Sequence, residues 1–171
     1  MKLTDLLPLE AWVELEKEIA EKSGLSASVF DIDGIRITDH KNWSNKLCPV
    51  VKANEKGQTF ICAAAHQNIS TMAMQSREPV IEECDAGLTK IVVPIFAHGE
   101  FLGGAGGCGL LGEEGEVETF LIGQVTGIGE EELEALSEGI GVIKERDAEA
   151  TAKFIQERIR KIVSDYEEGR R

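Results

Sequence analysis

Apolar residues recur at helical spacing near the start of the chain. Leu9, Trp12, Val13 and Ile19, with Glu16 on the same face, predict a helix over 8–22. Pro8 suits its first position, where a missing N–H costs nothing, and Gly24 suits its end. The period then falls towards two. Residues 27–32 partly alternate, Asp33-Gly34 follows, and 35–38 is again β-rich, which is the strongest hairpin signal in the chain. Residues 39–54 predict loops with one short helix. Residues 58–75, rich in Ala and Met and poor in breakers, predict a long helix carrying Cys62 and His66. A strand over 79–83 comes next, then Cys84-Asp85-Ala86-Gly87 and the most apolar run, 88–97. His98-Gly99-Glu100 turns tightly into a strand over 101–111. An acidic stretch, 112–141, holds short helices over 117–125 and 130–137, and a last helix spans 144–168. No repeat or long linker divides the chain. The pattern predicts one domain over 1–171, with a core of about 5–142. Strands joined by tight turns, with helices segregated from them, predict an α+β fold built on an antiparallel sheet.

Charge and composition narrow the function. The 171 residues include 18 basic and 31 acidic side chains, for a net charge of −13. A nucleic-acid or anionic-membrane surface needs clustered Lys and Arg, so neither partner is expected. No stretch approaches the ~20 apolar residues of a membrane span, and the first residues lack the apolar region of a secretion signal. Four cysteines in a chain this long are too few for a secreted disulfide scaffold. A cytoplasmic protein with reduced thiols is the expectation.

Few motifs carry chemistry. Residues 104–109 satisfy G-x-G-x-x-G, but the acidic stretch that follows opens no helix and would repel a pyrophosphate. No arrangement pairs a nucleophile with a base, so no enzyme is predicted. Cys48, Cys62, Cys84 and Cys108 contain no C-x-x-C pair. Taken singly they read as small buried hydrophobes. Taken together, from several elements of an antiparallel fold, they could ligate zinc or an iron–sulfur cluster. Cys62 and His66 stand at i, i+4 and so share a helix face. His40 and His98 are flanked by turn residues and charges and are expected in solvent. In the last helix, Ala148, Ala152, Ile155, Ile159, Ile162 and Tyr166 trace a heptad seam. That seam either lies on its own domain or pairs two copies.

The run from Leu47-Cys48-Pro49 through Gly57, Cys62, Pro79-Val80-Ile81 and Cys84-Asp85-Ala86-Gly87-Leu88 to Val93-Pro94-Ile95, His98-Gly99 and Leu102-Gly103 resembles the PocR sensory domain. This is a ligand-binding module of bacterial and archaeal signalling proteins, and the resemblance covers roughly 5–165. It implies a PAS-like fold, a central antiparallel sheet flanked by helices, and a role in sensing simple hydrocarbon derivatives such as short diols. Cys48, Cys62 and Cys84 match the family's recurrent cysteines, and Asp85-Ala86-Gly87 its turn. Cys108 stands where members often carry Gln. It either adds a fourth thiol or removes a polar contact. The resemblance favours a shared pocket over independent burial of the thiols. Trp43, Cys48, Cys62, His66, Cys84 and Asp85 are the expected ligand-binding residues, and the cofactor is left open between none and a metal. The alternative is a redox protein holding zinc or an iron–sulfur cluster on Cys48, Cys62, Cys84 and Cys108. Expected partners are the small-molecule ligand, a second copy bound through the C-terminal helix, and a separate signalling protein. PocR-like domains usually adjoin kinase, cyclase or DNA-binding modules. This sequence holds none, as expected of a stand-alone member or a piece of a longer protein.

Overall fold

The computed structural model describes residues 1–169. A single helical turn, α1 (Leu3–Leu6), precedes the first predicted helix, and its Leu3 carbonyl accepts a 3.0 Å hydrogen bond from the buried Trp12 indole. That helix, α2 (Leu9–Ser23), takes Pro8 as its N-cap and ends at Gly24, whose φ of 78° only glycine adopts without strain. Four strands follow in the chain, β1 (Ser26–Asp31), β2 (Val80–Glu83), β3 (Thr89–Ala97) and β4 (Glu100–Leu110). They form one antiparallel sheet in the order β1-β4-β3-β2. The helices between and after them are α3 (Leu47–Ala53), α4 (Glu55–Gly57), α5 (Ala64–Ser76), α6 (Thr119–Thr126), α7 (Glu130–Ser137) and α8 (Glu145–Glu167). The fold is α+β, a central antiparallel sheet flanked by helices with a long C-terminal helix.

Strand alternation gives the sheet two different faces. Val29, Ile91, Val93 and Ala105 enter the main core with Trp12, Leu15 and Ile19 of α2 and Ile155 and Ile159 of α8. Phe30, Lys90, Val92 and Cys108 have the opposite parity, and Val92 packs with Ile69 and Ala73 of α5. A second cluster joins α3, the Ala86–Leu88 turn, α6 and α7 through Leu47, Leu88, Ile122 and Leu133. The glycine run 103–109 lies inside β4, and the next helix begins only at Thr119. A Cβ on Gly106 would lie 1.8 Å from the Ile91 carbonyl oxygen. At that position glycine admits the neighbouring backbone; no helix N-terminus follows to bind a pyrophosphate.

Two local structures differ from the sequence pattern, and a third chooses between two readings of it. The Asp33-Gly34 turn forms, but its return arm makes only one isolated bridge, Phe30 to Arg36, and no second strand. Buried Glu16 of α2 redirects that arm. Its carboxylate accepts from the Thr38 hydroxyl at 2.7 Å, the Val29 amide at 3.0 Å and the Arg36 guanidinium at 3.2 Å. Asn42 then serves the free edge of β1 with its side chain, accepting from Ala27 N and donating to the Leu25 carbonyl. Secondly, the helix predicted over 58–75 is not uniform. Residues Gln58–Ala63 are π-helical, and regular α-helix begins at Ala64.

Lastly, the heptad seam of α8 is spent inside the protomer. Ala148, Ala152, Ile155, Ile159 and Ile162 are buried in the main core, with Tyr166 packed at its edge. A second copy could not use those residues without displacing α2 and β3. Among the described residues, no helix is long and apolar enough to cross a membrane.

Candidate functional site

The sheet face opposite α8 does not close against its helices. Between it and α3, the π-helical segment and α5 lies a partly enclosed cavity of about 460 Å³, within the range of small-molecule sites. Phe30, Lys90 and Cys108 contribute from the sheet, Cys48 from α3, Cys62 from the π-helical segment and His66 from α5. Cys84 and Leu88 close one end and the Asp33-Gly34 turn another. The π-helical segment inserts an irregular turn where helix meets pocket, a feature that recurs at functional sites.

Local structure explains each placement. Asn45 accepts from the Cys48 amide at 2.7 Å and donates to the Gly109 carbonyl at 2.7 Å, so one side chain fixes α3 against the end of β4. The same amide nitrogen lies 3.3 Å from the Cys48 sulfur. Cys84 and Leu88 bracket a turn in which Cys84 N donates to Leu88 O, and Gly87 N to Cys84 O, both at 2.9 Å. A Cβ on Gly87 would stand 2.0 Å from the Glu116 carbonyl, which ties that turn to the acidic segment. At the other end, the Asp31 carboxylate accepts from Asp33 N and Ile35 N, shaping the hairpin turn that covers His66.

His66 is the most unusual group of the site. It is 6% exposed, its ring centroid lies 3.8 Å from that of Phe30, and neither ring nitrogen has a hydrogen-bond partner. Burial, aided by the nearby Lys90 and Lys52 charges, lowers its pKa to about 3 and keeps the ring neutral. Burial acts on the thiols in the opposite sense. It pushes Cys48 up to about 12 and Cys62 up to about 11, and it raises Cys84 as well. These cysteines are free and protonated at neutral pH, poor nucleophiles and poor metal ligands in that form.

Of the residues expected at a ligand site, Cys48, Cys62, His66 and Cys84 line this cavity, and so does Cys108. Trp43 and Asp85 are not among its lining residues. Trp43 is largely exposed, with Lys52 Nζ 5.6 Å from its ring, and borders a small adjoining cavity that shares Cys48, Lys52, Lys90 and Cys108. Asp85 is exposed at the tip of its turn. Although all four thiols face one space, no group of three His, Cys, Asp or Glu side chains among the described residues could hold a metal ion. The zinc and iron–sulfur alternative finds no support in this geometry. His98 is exposed as expected, and His40 is half-buried.

Sequence reasoning missed Lys90, Lys52 and Phe30. The signal for Lys90 was present, because it is the one charged residue in the most apolar strand of the chain. Its side chain ends in the cavity with the ammonium 5.4 Å from the centre of the Phe30 ring.

Comparison with known families shows that a model described as a sensory domain found in PocR matches residues 5–166. No curated protein and no solved structure matches the chain.

Proposed function

The chain belongs to the family of PocR sensory domains, and on that premise we propose that the cavity between sheet and α5 receives a small hydrocarbon derivative whose binding is the sensed event. Short diols are the members of that class that the family resemblance implies. The observation that carries the reading is a 460 Å³ cavity, apolar over much of its wall, in which buried His66 leaves both nitrogens unpaired. Unpaired buried polar atoms cost free energy until a partner arrives, and a ligand with a hydroxyl or similar group supplies one.

The output runs through the sheet. β3 carries Lys90 of the pocket on one face and core residues packed on α8 on the other. A ligand that binds one packing of these layers better shifts the population towards it. A second copy or a separate signalling protein then reads the outward face of α8. Free thiols, an acidic surface and the absence among the described residues of a helix fit to span a membrane suit a cytoplasmic sensor.

The test is thermal-shift and calorimetric titration of the full chain with three- to five-carbon diols, alcohols, amides and acids. Saturable binding is expected for at least one class. It should vanish in Cys62→Trp, which fills the cavity from the π-helical segment, while far-ultraviolet circular dichroism stays unchanged. Binding that survives the filled cavity, or no binding by any class, overturns the proposal.

A further inference from the structure

Charge around the cavity runs against the charge of the chain. In a protein of net charge −13, the charged residues lining this space are Lys90 and Lys52 and, at the hairpin turn, Asp33. Lys90 is 7% exposed, and among the described residues its ammonium makes no ion pair and no hydrogen bond. Glu82 stands opposite it in the β2–β3 register, yet is exposed and does not reach it. The Phe30 ring lies 5.4 Å from its ammonium, and a ring face compensates a buried ammonium only weakly. The stem is buried while the ammonium opens onto the cavity, and a charge so placed lacks a protein counter-ion. His66, 6% exposed, faces the same space with two unsatisfied nitrogens.

We infer that the small molecule taken by this cavity is a monocarboxylate, its anionic oxygens paired with Lys90 and accepting a hydrogen bond from His66, its carbon skeleton laid against Phe30, Leu88 and Met74. This inference rests on reading the cavity as the ligand pocket and narrows that reading from neutral diols to acids. Lys52, exposed near the mouth, draws the anion inward. A phosphate group fits less well. The site offers no arginine fork, and the amide of Cys48 in the first turn of α3 already donates to Asn45. One buried cation matches one negative charge.

The test is calorimetric titration of the full chain at low salt with butyrate, the near-isosteric butyramide, 1,2-butanediol and inorganic phosphate. Butyrate should bind at least about tenfold more tightly than butyramide, a difference that a single charge-assisted contact supplies. Lys90→Met should bring acid and amide to equal affinity, and raised salt should weaken butyrate more than butyramide. The wild-type comparison stands alone if Lys90→Met fails to fold. Equal or tighter binding of the amide or diol overturns the inference and leaves the pocket reading intact. Tighter binding of phosphate overturns the carboxylate assignment. Failure of all four to bind overturns both.

Discussion

Replacing His66 by glutamine should flatten the pH dependence of stability between pH 7.5 and pH 5. The imidazole has an ordinary pKa of 6.5 and one of about 3 in the folded chain, so the unfolded state binds the proton and the native state does not. The folded-state value is depressed. Its contribution to stability is therefore complete above 6.5 and is lost as pH falls towards 3. At pH 5 the native ring is still neutral while nearly every unfolded one is protonated, which costs the native state about 2 kcal/mol relative to pH 7.5. That figure requires only that the native value lie well below 5. Urea unfolding at the two pH values, for wild type and His66→Gln, isolates the effect. Other histidines and carboxylates titrate alike in both proteins, and any constant cost of the substitution cancels. The wild type should lose about 2 kcal/mol more than the variant on acidification. A difference below about 0.5 kcal/mol would mean that His66 titrates as a solvated residue, and the buried, unpaired ring on which the site is built would be wrong.

Alkylation should find the pocket thiols slow. Cys48, raised from 9.0 to about 12, should react with iodoacetamide at neutral pH at least about tenfold more slowly than an unperturbed cysteine, the lost thiolate fraction outweighing the greater nucleophilicity of a more basic thiolate, and Cys62 should be slowed in the same sense, as read by peptide mass spectrometry. Rates at Cys48 equal to those of free cysteine would show a solvated pocket wall. In the C-terminal helix, Ile155 is fully buried, and Ile155→Ala should cost about 2–5 kcal/mol in urea unfolding. The midpoint of that variant should not move over a hundredfold range, on the order of 1–100 μM, of protein concentration. A midpoint that falls on dilution would place the seam between two copies.

The periodic elements were legible because their patterns depend on local geometry. α7 spans the predicted residues, α2 and α8 fall within a residue of theirs, and the three later strands follow the apolar runs and the His98-Gly99 turn. What failed were positions where a distant side chain outbid a local preference. The Asp33-Gly34 hairpin lost its second strand to Glu16, a residue 20 positions from Arg36 whose apolar-face location in α2 did not reveal that it would bind three groups at once. The Gly-rich run was already unfit for a nucleotide in sequence, because no helix opening follows it; what the structure adds is the reason for glycine there, the approach of the Ile91 carbonyl to Gly106.

The candidate site divides along the same line. The residue types and motif order of Cys48, Cys62 and Cys84 were visible along the chain, as was the shared face of Cys62 and His66, since an i, i+4 pair meets on any helix. The sequence by itself therefore determined most of the elements, the fold class and the family. Its four cysteines could still have been separate core residues, metal ligands or parts of one wall. Tertiary structure decided that they line one cavity without a metal-ligating group among the described residues. It also decided that a lysine from the most apolar strand ends there unpaired, and that the heptad seam belongs to the chain's own core. Burial and pairing are set by what the rest of the chain brings alongside, and no local pattern encodes that company.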